Sequence, residues 1–288
     1  MQTLSSYRSR GYKGYSSVQK ERFGSSGKCK FWPCRKRYDT NVGIYDTAWS
    51  EVHENQLVTC GVDGSIMLYD INIPGYPVAK WNEHSREAMS VNWNYISKDV
   101  FLSSSWDSSI KLWSPNTKTS LKTITQHQGC VYDTAWNPKA QPVFASCSED
   151  KLILLHDLRQ FAPTLSLAGH NDQVLSLDWN KYDNNLIISC SSDKSIRVWD
   201  TRSPKFAVTQ FGPFEFPSKK VVFSPHQRDI AASCGYDMGI TFWNLPTMLP
   251  ISRYSHHSEF VFGLDWNLFY PNIVASYSWD ESINLIRV

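Results

Sequence analysis

The stretch "FLSSSWDSSIKLW" (101–113) sets Trp106 immediately before Asp107 in a polar turn, and "VASYSWDESINLI" (274–286) does the same with Trp279 and Asp280. A repeat at fixed distance decides a fold before local propensity does, and this one runs through most of the chain. An Asp recurs at Asp63, Asp107, Asp150, Asp193, Asp237 and Asp280, at intervals of 44, 43, 43, 44 and 43 residues. Fourteen residues before each stands a large aromatic: Trp49, Trp93, Trp136, Trp179, Phe223 and Trp266. Four before it comes a hydroxyl: Thr59, Ser103, Ser146, Ser189, Ser233 and Ser276. Twenty-three before it, four copies carry His84, His127, His170 and His257, and six after it stand Tyr69, Trp113, His156, Trp199, Trp243 and Ile286.

Within each copy, three short runs rich in β-branched and aromatic residues end in Ser, Asp, Asn or Gly, which reads as strands and turns. A more variable stretch then leads to the next His. This pattern resembles the WD40 repeat, in which each copy forms a four-stranded propeller blade. The expected fold is therefore an all-β WD40 β-propeller over residues 40–288, with six repeats at about 40–83, 84–126, 127–169, 170–213, 214–256 and 257–288. Residues 1–39 are too few for another repeat and are expected to form a degraded or incomplete N-terminal blade, whereas the family form has seven blades.

The resemblance also implies a hydrogen-bonded chain of His, Ser, Asp and Trp inside each blade. The sets are His84, Ser103, Asp107 and Trp113; His127, Ser146 and Asp150; His170, Ser189, Asp193 and Trp199; Ser233, Asp237 and Trp243; and His257, Ser276 and Asp280. Such a network rigidifies only when every member is satisfied. The third copy has His156 for Trp, the fifth Phe214 for His, and the first Thr40 and Tyr69, so these blades are expected to be looser. The sixth copy ends at Val288 after its third strand, and "KCKFWPCRKRY" (28–38) is the candidate for the missing outer strand.

Composition removes several function classes. The chain of 288 residues has a formal charge of +2, with basic residues dispersed apart from "CRKR" (34–37), which makes no case for a nucleic-acid partner. No apolar run approaches a membrane span, and the polar N-terminus lacks the apolar segment of a secretory signal. Seven Cys in such a chain read as reduced cytosolic thiols. The four repeat histidines fall in separate blades, as do Cys60, Cys147, Cys190 and Cys234, so neither set can converge on a tetrahedral metal. Cys29 and Cys34 lack further partners and make a weak motif. No phosphate loop, His-Glu-x-x-His or Gly-x-Ser-x-Gly pattern is present. The reading is a non-enzyme without cofactor, metal or small-molecule substrate. "VWDTR" (198–202) and "HDLR" (156–159) resemble the Trp-Asp-x-Arg motif of cullin ubiquitin-ligase adaptors, which gives one alternative; a general interaction scaffold is the other.

Repeat phase assigns a face. In the fold it resembles, the turn after the second strand and the loop before the first emerge on one side. That side collects Trp106, Glu149, Tyr236 and Trp279 from the turns, and Tyr45, Glu87, Met89, Tyr132, Leu175, Glu259, Phe260 and Phe262 from the loops and strand starts; Lys219 is the base among these positions. An aromatic, acid-flanked rim suits an amphipathic helix with apolar anchors and a basic residue, and repels phosphates.

Longer stretches narrow the resemblance. "YDTAWSEVHENQLVTCGVDGSI" (45–66), "DWNKYDNNLIISCSSDKSIRVWD" (178–200), "FSPHQRDIAASCGYDM" (223–238) and "HHSEFVFGLDW" (256–266) resemble the peroxisomal targeting signal 2 receptors, as does "GYKGYSSVQ" (11–19). That family implies a receptor in the cytosol that cycles to the peroxisome. It binds an N-terminal nonapeptide of matrix proteins such as thiolase-like cargo, with Arg/Lys-Leu at one end and His/Gln-Leu/Ala at the other. The resemblance further implies a co-receptor peroxin and docking peroxins at the membrane. After "GYKGYSSVQ" the family continues through a complete blade, whereas here "KERFGSSGKCKFWPCRKR" (20–37) leads to Tyr38 too soon.

Overall fold

A computed structural model describes residues 2–5, 14–20, 36–50 and 52–288. The described residues form antiparallel sheets and no helix. The repeat sets the architecture: each copy becomes one sheet whose strands follow chain order from the channel outward. Five copies give four-stranded sheets, spanning 44–81, 88–124, 131–168, 174–211 and 218–254. The sixth, spanning 261–287, has three strands. The inner strands Ile44–Trp49, Ala88–Trp93, Val131–Trp136, Val174–Trp179, Ser218–Phe223 and Val261–Trp266 pack side by side in that order. Six blades thus make a β-propeller, and an incomplete sheet precedes them.

That preceding sheet joins Gln2–Ser5, Gly14–Lys20 and Lys36–Thr40 in sequence order. Tyr38 is buried against the first full blade: its hydroxyl donates to the Asp70 carbonyl at 2.9 Å and its ring meets Tyr69 edge-on at 5.0 Å. The segment considered for the outer strand of the last blade therefore divides. Lys36–Tyr38 pairs with Gly14–Lys20, and residues 28–35, including Cys29 and Cys34, lie outside the described residues. Among the described residues, Ile283–Arg287 has no strand on its outer side.

The core lies between blades. Trp81, Trp93, Phe101 and Trp113 stack between the first and second, and Val174, Leu177, Trp179 and Trp199 fill the gap between third and fourth. Trp93, Trp113, Trp179 and Trp199 are repeat positions, and each gives one large apolar surface to the adjoining sheet.

Inside the blades the hydrogen-bonded chain runs through the second, third, fourth and sixth copies. In the second, the Trp113 indole donates to Ser103 Oγ at 2.8 Å, Ser103 lies 2.7 Å from His84 Nε2, and His84 Nδ1 lies 3.0 Å from Asp107. The carboxylate accepts only, so Nδ1 carries the proton and Nε2 accepts from the serine. Burial opposes ionisation of Asp107, but hydrogen bonds from His84 and Ser109 outweigh it and hold its carboxyl well below the usual range. His170, Ser189, Asp193 and Trp199 repeat the set at 2.8–2.9 Å. His257 Nδ1 and Nε2 each lie 2.9 Å from their partners Asp280 and Ser276, although Ile286 supplies no indole.

The third copy differs from the expectation of a looser blade. His127 joins Asp150 and Ser146, both at 2.7 Å, and His156 Nε2 takes the place of the indole at 2.8 Å from Ser146. Burial lowers the His156 pKa to about 3, so the ring is neutral and its Nε2–H can donate as an indole does. The fifth copy keeps only half the chain. Trp243 donates to Ser233 at 2.8 Å, but Phe214 offers no nitrogen, and Asp237 turns instead to Arg253 at 2.9 Å. In the first copy the hydroxyl of Thr59 is buried without a partner among the described residues.

Candidate functional site: the channel mouth lined by a repeated bulge

One irregularity recurs in all six inner strands and organises the face predicted from repeat phase. The strand register slips at Ile44/Asp46, Val131/Asp133, Val174/Ser176, Ser218/Lys220, Val261/Gly263 and Ala88/Ser90. The extra residue in each slip is Tyr45, Met89, Tyr132, Leu175, Lys219 or Phe262. A bulge bends its strand and re-aims the side chain it leaves out of the ladder. The same device thus sets one residue per blade around the mouth of the channel.

The ring is continuous on one side. Tyr45 stacks on Phe262 at 6.5 Å, Phe262 on Trp279 at 6.3 Å, Trp279 meets Phe260 at 5.6 Å, and Phe260 meets Tyr236 edge-on at 5.2 Å. Trp279 remains 41% exposed in the middle of this row. Lys219 joins it to the opposite side, its ammonium 5.0 Å from the Phe262 ring centre and 5.7 Å from that of Tyr132. Tyr132 in turn donates to Gln173 Oε1 at 2.7 Å. Burial pushes the Tyr132 hydroxyl up to about 12, so it stays a donor.

Other predicted members are placed differently. Met89 and Leu175 are 8% and 7% exposed, so they form floor rather than projecting anchors. Trp106 stands apart on the second blade, half-buried, with the Arg86 guanidinium 5.5 Å above its ring and its indole nitrogen without a partner among the described residues. Glu149 spends one oxygen on the Cys130 N–H at 3.1 Å. Glu87 lies 3.9 Å from its neighbour Arg86, and Glu259 is exposed.

Beneath the ring the residue after each bulge points down the channel: Asp46, Ser90, Asp133, Ser176, Lys220 and Gly263. Lys220 of the fifth blade reaches Asp133 of the third at 2.7 Å, and Ser176 donates to the same carboxylate oxygen at 2.8 Å. Burial opposes the Lys220 charge, yet Asp133 and Asp46 keep its ammonium protonated well above the usual range. Burial likewise raises Asp46 to about 6, against the pull of Lys220. At Gly263 the Tyr277 ring packs into the space that a Cβ would occupy. This layer ties separate blades together and floors the mouth.

No group of three His, Cys, Asp or Glu side chains able to hold a metal occurs among the described residues. The cysteines of the repeat are buried, and burial pushes the Cys190 thiol up to about 12, as expected of packing groups. Arg159 and Arg202 fork onto Asp157 and Asp200, each with a 2.6 Å contact, and so close the turns after their own strands.

The comparisons with known proteins agree with this architecture. The WD domain, G-beta repeat family matches residues 75–114, 118–157 and 161–200. The peroxisomal targeting signal 2 receptor of Mus musculus is 47% identical over 252 residues, covering 87% of this chain and 79% of the mouse protein. That of Dictyostelium discoideum is 53% identical over 238 residues, covering 81% and 75%. The chain belongs to the peroxisomal targeting signal 2 receptor family. The Peroxisome biogenesis protein 7 of Arabidopsis thaliana, 49% identical over 249 residues, covers 85% of this chain and matches along 78% of its own length.

In this family member, repeat reasoning passed over two residues near the inner-strand starts. Arg86 is a base whose guanidinium covers Trp106, and Phe216 is 47% exposed just before the fifth inner strand. Both share the repeat offset of Asp172 and Glu259, twenty-one residues before the repeat Asp, which was the available signal.

Proposed function

We propose that the chain is an import receptor that binds the type 2 peroxisomal targeting signal across the bulge-lined mouth. The carrying observation is the row Tyr236–Phe260–Trp279–Phe262–Tyr45, an aromatic surface with Glu87 and Glu259 near it, which matches an amphipathic helix bearing leucines and a basic residue. Residues roughly seven or eight apart lie on one helix face, so both ends of the nonapeptide can face the mouth together. The names of the related receptors support this choice of ligand over a cullin adaptor or general scaffold.

Two or three apolar anchors contribute about 1.5–3 kcal/mol each on burial, and ordering a short helix costs several kcal/mol. Micromolar affinity needs about 8 kcal/mol net. The propeller alone therefore binds weakly, and a co-receptor covering the helix's other side supplies the remainder before the complex docks at the peroxisomal membrane. The test is fluorescence anisotropy of an Arg-Leu-x5-His-Leu peptide with the purified chain, with and without a co-receptor fragment. Binding should vanish when the peptide leucines become Arg. Unchanged affinity in both Trp106→Ala and Glu87→Lys would overturn this placement of the ligand.

A further inference from the structure

Five of the six bulge residues are aromatic or aliphatic; Lys219 alone is charged. Its neighbour Lys220 is fully engaged with Asp133 inside the channel. Lys219 is not. Its ammonium rests between the faces of Tyr132 and Phe262 and has neither a hydrogen bond nor a carboxylate within ion-pair distance among the described residues. Burial accordingly lowers its pKa. A cation held over two rings at the floor of a site for a basic peptide repels that peptide's own Arg or Lys. It needs an acceptor, and a docked helix has one place that offers it.

That place is the helix C-terminus, where the last four carbonyls lack partners and the macrodipole is negative. The targeting signal lies at the N-terminus of its cargo, so the chain continues beyond the helix. Those carbonyls are therefore not accompanied by a terminal carboxylate. The opposite end carries the Arg/Lys-Leu pair and the positive pole, which suits Glu87 on the second blade. Ser218–Phe223 and Ala88–Trp93 are three inner strands apart in the ring, so the two groups stand across the mouth from one another. Resting on the receptor reading above, we propose that Lys219 receives the C-terminal carbonyls of the docked helix and thereby fixes its direction, N-terminal end over the second blade and C-terminal end over the fifth.

The experiment uses the full chain with co-receptor fragment and peptides extended by one Glu, Gln or Lys at either end. The wild-type receptor should prefer Glu over Lys at the C-terminal flank by about 5- to 30-fold. Lys219→Arg should keep that preference, Lys219→Met should reduce it to within about twofold, and Lys219→Glu should invert it. N-terminal flank preferences should be the same in all four proteins. A C-terminal preference that survives Lys219→Met, or an N-terminal preference that moves instead, overturns the proposed direction while leaving the receptor reading intact. If the folded wild-type chain binds none of the peptides, the receptor reading falls and this inference with it.

Discussion

The chain inside each blade and the ring at the channel mouth are written by the same repeat, but they treat it in opposite ways. Inside the blades, Ser and Asp recur with almost no change and His in four of the six copies, and where a member of the chain is replaced the substitute is tested by its hydrogen bonds: His156, in the place of Trp, keeps the chain whole at 2.8 Å from Ser146, whereas Phe214, in the place of His, leaves Asp237 to Arg253. At the mouth, Tyr45, Met89, Tyr132, Leu175, Lys219 and Phe262 occupy one backbone position and share almost no chemistry. A position that must satisfy buried polar partners tolerates few residues. A position that faces a ligand is free to differ from blade to blade, and the asymmetry of six such residues is what can orient a peptide.

The largest effect that would break this contrast lies in the complete second blade. Ser103 sits between His84 and Trp113, so Ser103→Ala leaves two buried groups unpaired and should cost about 2–4 kcal/mol in a denaturant titration. Peptide affinity of the folded fraction should not change. A loss below about 1 kcal/mol would show that the chain is incidental to the blade's stability.

The third blade sharpens the contrast through pH. The folded pKa of His156 is lowered to about 3, below its ordinary value of 6.5. Above pH 6.5 the residue is neutral in both states and contributes nothing. Below it the unfolded chain takes up a proton that the folded one refuses, so stability falls with pH down to the folded value. Between pH 7 and 5 this amounts to roughly 2 kcal/mol. His156→Trp, the residue used by the second, fourth and fifth blades, should remove that part of the loss when unfolding is followed at both pH values. An unchanged pH dependence would place the titration elsewhere.

The mouth should respond in affinity rather than stability. Phe262 touches Tyr45, Trp279, Tyr277 and Lys219 but is only half-buried. Phe262→Ala should weaken peptide binding by about 1–2 kcal/mol, less than full burial of the ring contributes, and equal peptide binding in anisotropy would remove it from the site. The smallest effect belongs to the first blade. The Thr59 hydroxyl already lacks a partner among the described residues, so Thr59→Val should fall within about 0.5 kcal/mol of the parent or stabilise it.

Much of this was legible in the residues because the repeat turns sequence distance into spatial phase. The offsets of Asp107 and Ser103, and of Trp279, Phe260 and Phe262, together with the resemblance to the WD40 fold, assigned the first pair to one hydrogen-bonded chain and the others to one face. The bulges could not be read in advance. They depend on how each inner strand registers with its neighbour, and register is a pairing between segments. The same limit explains why Trp106 and Trp279, identical by offset, end in different surroundings: Arg86 covers one ring, whereas Phe260 and Phe262 extend the other into a row.

By itself, then, the sequence determined the number of copies and their strands and turns, since these follow from periodicity, and its resemblance to a repeat family named the positions that bond one another. Only the tertiary structure decided that Lys220 is spent on Asp133 across the channel while Lys219 is left between two rings. Successive residues of a strand point opposite ways, and what lies in either direction is set by blades forty or more residues away.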